Sequence, residues 1–242
     1  MQAGVRRGRP GHDLESVLRG AVKVFNERGY DGTSMEDLSR ELGITKSAIY
    51  HHVPGKEELL RLAVDRALDG LFAVLDEISA MEAPAIARLE ELARRSVLLL
   101  VAELPFVTLL LRVRGNTAAE RRALARRRSF DAAVADLVSQ ARDEGDLRPD
   151  LDPALAARLL YGMINSVVEW YRQPGGRPGE LADSIVAVAF GGLRRSLPLW
   201  RHGLTALRPY GVAALRPYGR VQCWLAPLLQ VWTVSWVPFL VE

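Results

Sequence analysis

The sequence predicts an all-α protein with a small N-terminal domain and a larger C-terminal domain. Apolar residues recur with helical spacing almost everywhere up to about residue 196, whereas the alternating pattern of β-strands is rare. Glycine and proline divide this pattern into segments of helix length. A length of 242 residues is enough for one small and one medium domain.

The composition is that of an ordinary globular protein, with 49% hydrophobic and 25% charged residues. The net charge of +3 excludes a polycationic chain, so any nucleic-acid binding has to depend on a local concentration of basic residues. The single cysteine, Cys223, excludes a disulfide framework and a cysteine-rich metal site. Because no apolar signal segment stands near the N-terminus, we expect a cytoplasmic protein.

Basic residues are concentrated at the start of the chain. Residues 1–11 include Arg6, Arg7 and Arg9, and no acidic residue precedes Asp13. A basic, flexible arm of this kind can follow DNA phosphates or enter a minor groove, which makes Arg6 and Arg7 candidate DNA-binding residues. A terminus without any binding role is the alternative.

Three short helices are predicted at residues 12–56. Apolar residues in the segment 14–25 share one face of the first helix, and Gly29 ends it. Thr33 or Ser34 can cap the second helix, which carries acidic residues in its first turn.

Gly43 allows the second and third helices to meet in a tight turn, which is the geometry of a helix-turn-helix. Thr45 can cap the third helix, and the pair Pro54-Gly55 ends it. The apolar residues expected to pack this helix onto its neighbours are Ile44, Ile49 and Val53. The side chains expected to face outward, where they suit phosphates and base edges, are Thr45, Lys46, Ser47, Tyr50 and His51.

The stretch at residues 29–60 closely resembles the DNA-binding domain of TetR-like (TetR/AcrR-type) transcriptional regulators. The matching positions are Gly29-Tyr30, Thr33, Leu38, Gly43, Thr45, Tyr50-His51 and residues 56–59. Val53 departs from the pattern at a packing position where an aromatic residue is usual. The resemblance implies a repressor that binds double-stranded operator DNA. The candidate DNA-binding residues in this stretch are Thr33, Thr45, Lys46, Ser47, Tyr50, His51 and Lys56, the last at a helix N-terminus suited to a phosphate.

Motifs of enzymes and of metal sites are missing from the sequence. There is no Walker loop, nucleophile elbow, zinc-protease motif or dinucleotide-binding glycine pattern. The neighbouring His51 and His52 would point about 100° apart on a helix, which makes them a poor chelating pair. We therefore expect no enzyme, no metal and no cofactor, with an enzyme on a helical scaffold as the remote alternative.

The C-terminal domain is predicted at residues 57–196 and begins with a long helix whose apolar stripe extends to Ile78. Further helices are predicted at about residues 85–102, 104–113, 117–144, 153–172 and 179–196, with Asn116 or Thr117 capping the longest of them. The last two helices carry the apolar stripes Leu155, Leu159, Met163, Val167 and Leu181, Ile185, Val188, Gly192. In TetR-like regulators such helices form a homodimer interface, and core packing within one subunit is the alternative.

The sequence from residue 144 to residue 172 resembles the C-terminal domains of TetR-like repressors that respond to coenzyme A thioesters of fatty-acid, sterol or aromatic-acid breakdown. The apolar or aromatic residues expected to contact such a ligand are Phe106, Leu110, Met163 and Trp170. Five arginines at residues 121–128 suit its phosphates: Arg121, Arg122, Arg126, Arg127 and Arg128. A solvated basic face that pairs with acidic residues is the alternative for this cluster. A multidrug-efflux regulator that senses aromatic cations is the alternative function.

Residues 197–242 differ in character from the rest of the chain. The segment ALRPYG occurs twice, at residues 206–211 and 214–219. No charged residue lies between Val221 and Val241, a length that can span a bilayer, but glutamine and proline interrupt this segment. We predict an atypical C-terminal extension and no membrane span, with a membrane or partner-binding role as the alternative.

Overall fold

The computed structural model describes residues 13–172 and 176–193, and within these ranges the chain forms α-helices and no β-strand. The N-terminal helices are α1 (Leu14–Arg28), α2 (Met35–Leu42), α3 (Lys46–His52) and α4 (Lys56–Ser79). They are followed by α5 (Ala85–Ala102), α6 (Leu104–Arg112), α7 (Ala118–Asp143), α8 (Pro153–Trp170) and α9 (Pro178–Leu193). The predicted all-α fold class is confirmed, and the helix bounds lie within a few residues of those predicted.

The ends of the short N-terminal helices are fixed by local capping contacts. Asp13 caps α1 by accepting a hydrogen bond from the Ser16 backbone N–H at 2.9 Å. Ser34, rather than Thr33, caps α2 and forms a reciprocal capping box with Asp37. Gly43 ends α2 in the left-handed region at φ 64°, where a side chain would be strained. The turn between α2 and α3 is therefore the one that the sequence predicts.

The recognition helix α3 is held by apolar contacts on its inner side. Ile49 and Val53 are buried, and Ile44 packs against the same core. This core continues through α1 and α4, which bury Phe25 and Leu60. Because one face of α3 is fixed in this way, its opposite face protrudes from the domain, as predicted.

The C-terminal domain is organised around α5, which packs against α4, α7, α8 and α9. A buried hydrogen bond of 2.9 Å joins the hydroxyl groups of Ser96 on α5 and Tyr161 on α8. Phe130 of α7 makes edge-to-face contacts with Phe72 and Tyr161, with ring centroids 5.8 and 5.1 Å apart. Thr117, rather than Asn116, caps α7. The buried aromatic residues thus connect α4, α7 and α8.

Two of the predicted regions lie outside the described residues: the basic arm with Arg6 and Arg7, and the extension at residues 197–242. Among the helices that the structure describes, none is long and apolar enough to cross a membrane.

Candidate DNA interface and ligand cavity

The outer face of α3 presents the side chains predicted to meet DNA. Those of Thr45, Lys46, Ser47, Tyr50 and His51 are all exposed, with Tyr50 at 50% of its full accessible surface. Thr45 also caps the helix by accepting a hydrogen bond from the Ala48 backbone N–H at 3.2 Å. The predicted exposure is confirmed, and the DNA contacts of these residues stay a prediction.

Glu36 on α2 belongs to the same surface, although sequence reasoning did not select it as a site residue. Its carboxylate accepts a hydrogen bond from the Lys46 ammonium group on α3. This hydrogen bond is the main reason why the pKa of Glu36 lies below its ordinary value. Lys46 therefore has a protein partner in the absence of DNA.

Lys56 and Thr33 hold the loop between α1 and α2. The Lys56 ammonium group donates to the carbonyl oxygens of Tyr30 at 3.0 Å and Thr33 at 2.9 Å, and it lies 4.5 Å from the centre of the Tyr30 ring. The Thr33 side chain is 2% exposed, and its hydroxyl donates to the Gly29 carbonyl oxygen at 2.7 Å. In this conformation the Thr33 side chain supports the loop and does not face outward.

Exposed apolar stripes run along α8 and α9. Leu155 and Leu159 are 52% and 64% exposed, and Val188 on α9 is 70% exposed. Val167 and Ile185, which the sequence placed in the same stripes, are instead buried in the core. Those two assignments to the association face are wrong. The exposed stripe of α8 continues through Gly162 and Ser166 to Trp170.

A small cavity of about 40 Å³ lies between α4, α6, α7 and α8. Its apolar wall consists of Leu68, Leu71, Val107, Leu110, Leu111 and Phe130. Its polar wall consists of Arg127, Asp131, Tyr161 and Asn165. Burial lowers the pKa of Arg127 and raises the pKa of Asp131, because it disfavours the charged form of each group.

The structure does not bring the five predicted arginines together. Arg122 and Arg126 form ion pairs with Asp65 of α4, at 3.0 and 2.9 Å, and Arg126 also pairs with Asp69. Arg121 donates to the backbone carbonyl groups before α7, and Arg128 is exposed. Arg122 and Arg126 therefore follow the alternative given for this cluster, a basic face whose arginines pair with acidic residues.

The other predicted ligand contacts are also dispersed. Leu110 lines the cavity, but Phe106 is buried beside it under the Arg66 guanidinium group, which lies 4.3 Å from the ring centre. Met163 is partly buried against the core, and Trp170 is 55% exposed on the outer face of α8. Of the nine residues predicted to contact the ligand, Leu110 and Arg127 line this cavity. Ligand contacts for the others stay a prediction.

Helical position places Arg127, one of the five arginines named from the sequence, toward the interior of the domain. It follows Ala123 by four residues and precedes Phe130 by three, and both of these are buried. Residues at this spacing share one face of a helix, so Arg127 belongs to the inner face of α7. Arg126 has a similar spacing but pairs with Asp65 of α4, and the other three arginines of the run are exposed.

Comparison with known proteins identifies the family. Residues 17–63 match the family described as bacterial regulatory proteins, tetR family, and residues 82–193 match the tetracyclin repressor-like C-terminal domain. The HTH-type transcriptional repressor KstR2 of Rhodococcus jostii (strain RHA1) is 30% identical over 191 residues, which are 77% of this chain and 93% of that protein. The chain belongs to the TetR family. It is therefore a DNA-binding transcriptional regulator and not an enzyme.

Solved structures support the same conclusion. A TetR-family regulator from Streptomyces coelicolor A3 is 56% identical and superposes with a TM-score of 0.70, covering 79% of this chain and 97% of that one. AibR, solved in complex with isovaleryl coenzyme A and operator DNA, is 28% identical with a TM-score of 0.62, covering 73% of this chain and 97% of that one. The helix-turn-helix and the helical C-terminal domain predicted from the sequence therefore correspond to the two domains of the TetR family.

Proposed function

We propose that this TetR-family regulator is a homodimeric, cytoplasmic repressor that binds operator DNA and leaves it when a coenzyme A thioester binds its C-terminal domain. The observation that carries the proposal is the position of the cavity. Its walls include Leu68 and Leu71 of α4, and α4 begins at Lys56, directly after the recognition helix. A ligand that moves the cavity wall therefore acts on the helix that supports the DNA-binding domain.

The size of the cavity supports release by a change of conformation. A volume of about 40 Å³ holds little more than one water molecule, whereas ligand sites usually measure several hundred Å³. An acyl or aryl group can enter only if α6 or α7 moves away from α4. The ligand then stabilises the wider conformer, and it releases DNA if that conformer holds the two recognition helices out of step with successive major grooves, about 34 Å apart.

Relatives support a thioester as the ligand class. AibR was solved with isovaleryl coenzyme A, and a KstR2 structure of Mycobacterium tuberculosis, with 27% identity and a TM-score of 0.69, is described as a ketosteroid transcriptional regulator. The apolar wall around Leu110 suits an acyl or aryl group. Arg127 in the polar wall disfavours the aromatic cations sensed by efflux regulators, because like charges repel.

Operator binding and ligand release are tested together in a gel shift with the DNA upstream of the gene. We expect Tyr50→Ala and Lys46→Ala each to weaken operator binding by about 1–3 kcal/mol, because each removes a contact to a base or phosphate. Met81→Ala, a change at an exposed residue between α4 and α5, serves as the control. Wild-type affinity in both α3 variants at one fixed salt concentration would contradict the assigned interface.

The ligand part uses acyl- and aryl-coenzyme A thioesters, the corresponding free acids and cationic dyes. We expect a thioester at micromolar concentration to release the wild-type protein from its operator. Release by the dyes and not by any thioester would replace this proposal with the efflux-regulator function.

A further inference from the structure

We propose that Arg127 is the anion-binding residue of the C-terminal domain. In this proposal its guanidinium group binds one negatively charged group of an organic ligand, and the acyl or aryl part of that ligand enters the cavity between Leu110 and Phe130. The inference deepens the proposed function, because it assigns the charge and the contact residue of the ligand that the regulator senses.

The first argument is that no acidic group contacts the Arg127 guanidinium group. Within the described residues, this side chain forms no hydrogen bond and no ion pair, although it is partly buried and lines the cavity. Arg122 and Arg126 of the same helix are both paired with acidic residues of α4. The charge of Arg127 interacts with that of Asp131 without a direct contact between the two groups. Burying such a charge is unfavourable for folding, and an anion bound directly to it lowers this cost. Arg127 is thus placed for a ligand rather than for stability.

The second argument is the charge balance around the cavity. Asp131 lies one helical turn after Arg127; burial raises its pKa, and the charges of Arg127 and of Arg158 on α8 offset part of that rise. The ionisable side chains of the cavity wall are Arg127, Asp131 and Tyr161, and burial keeps Tyr161 protonated by raising its pKa. Arg158 is exposed and does not line the cavity, so the wall holds one arginine and one aspartate, and burial favours the neutral form of that aspartate. The site therefore suits one negatively charged group rather than a cation.

The third argument is the arrangement of polar and apolar groups. Asn165, which makes no hydrogen bond to another described residue, shares the polar wall with Arg127. An amide that has free donors can bind a carbonyl or carboxylate oxygen beside the guanidinium group. Val107, Leu110 and Phe130 form the apolar wall next to them. A carboxylate of a free acid and a phosphate of a coenzyme A thioester share this chemistry.

The experiment is calorimetric titration of the full-length protein with two pairs of probes: octanoate with octanoyl-coenzyme A, and phenylacetate with phenylacetyl-coenzyme A. Arg127→Met keeps much of the side-chain volume and removes the charge. Arg148→Met is the matched control, because Arg148 is exposed after the end of α7, does not line the cavity and is not among the predicted ligand contacts. We expect Arg127→Met to bind those probes that bind the wild-type protein at least about tenfold more weakly, because it loses a charged hydrogen bond. The control variant should bind the same probes as the wild-type protein does.

The outcomes separate the inference from the proposed function. The inference is overturned if Arg127→Met binds the probes as tightly as the wild-type protein does. It is also overturned if the wild-type protein binds none of the four anionic probes. Binding of free acids alone supports the Arg127 site and contradicts the thioester. Failure of wild type to bind operator contradicts the proposed function, whereas the titration still tests Arg127. We expect Arg127→Met to melt no lower than wild type, and Arg127→Gln provides a second charge-removing variant should it fail to fold.

Discussion

The predicted DNA contact of Lys46 requires this side chain to exchange its protein partner for an acceptor on the DNA. In the free protein its ammonium group is paired with Glu36, and both side chains are exposed on the surface that carries α3. Glu36 also places a negative charge where DNA phosphates approach. We therefore expect the pair to reduce attraction to any duplex and to favour sequences that offer Lys46 a better acceptor than the carboxylate.

We expect Glu36→Gln to increase the affinity for non-operator DNA more than the affinity for the operator, because Lys46 then binds phosphates without losing an ion pair. Fluorescence anisotropy with an operator duplex and a scrambled duplex at several salt concentrations measures both effects. The plot of log affinity against log salt concentration should become steeper by about one unit of slope, which corresponds to one more neutralised phosphate.

Glu77→Gln is the control for this prediction, since it breaks the Arg95–Glu77 ion pair of the C-terminal domain by the same substitution. An unchanged ratio of operator to non-operator affinity in Glu36→Gln would show that the pair does not contribute to specificity.

Exposure on α3 was predictable from the sequence because it depends on one short helix with a clear apolar side at Ile49 and Val53. The inward position of Thr33 was not, because it depends on how the loop after α1 folds back to the Gly29 carbonyl group. The partner of Lys56 is likewise set by that loop. Side-chain roles that depend on a single helix are thus easier to predict than roles that depend on a loop.

At the scale of the elements, capping residues and glycine turns predicted the helix ends well, because both act within one turn of the chain. The association stripes were predicted less well. A series in steps of four residues advances about 40° beyond a full turn at each step, so a stripe that begins at the exposed Leu155 has rotated about 120° at Val167. Val167 therefore lies in the core. Steps of four, three, four and four residues lead instead from Leu155 through Leu159 and Gly162 to Ser166 and Trp170.

These stripes carry the prediction about assembly. We expect Leu159→Glu and Val188→Glu each to convert the dimer into monomers, because a carboxylate buried in an apolar interface has no counter-ion there. Light scattering after size-exclusion chromatography measures the mass. Operator affinity should fall with the dimer, since one helix-turn-helix then meets one half-site.

Met81→Glu is the matched control for assembly, because it introduces the same charge at an exposed apolar residue outside α8 and α9. A dimer that persists in both stripe variants would place the interface elsewhere.

At the scale of the whole molecule, the question is how the cavity acts on the DNA-binding domain. Arg66 of α4 connects the two. Its guanidinium group donates to both oxygens of Glu103, at 2.8 Å each, and to Glu15 of α1 at 2.7 and 2.8 Å. It also covers Phe106 at the start of α6, whose next turn supplies Val107 and Leu110 to the cavity. A ligand that displaces α6 therefore disturbs the contacts that hold α1.

This arrangement predicts that Glu15→Gln weakens the coupling between ligand binding and operator release without weakening ligand binding itself. Arg66 lowers the pKa of Glu15 by hydrogen bonding, so the carboxylate is ionised at neutral pH, and its contribution to stability is lost only as the pH falls below the ordinary glutamate range. Because Glu15 is largely exposed, we expect a stability change of about 1 kcal/mol or less from its loss. Calorimetry should give an unchanged ligand affinity in the variant.

The decisive measurement is the operator affinity of Glu15→Gln with and without saturating ligand. Coupling between two sites is the ratio of these affinities, and it is typically equivalent to 1–3 kcal/mol. We expect this ratio to shrink in Glu15→Gln and to stay unchanged in Glu77→Gln, because the Arg95–Glu77 pair lies outside the connection between α6 and α1. Asn26 also ties α1 to α6, since its amide donates to the Pro105 carbonyl oxygen at 2.8 Å, so some coupling should remain. A ratio equal to that of the wild type would exclude Arg66 and Glu15 from the transmission of the ligand signal.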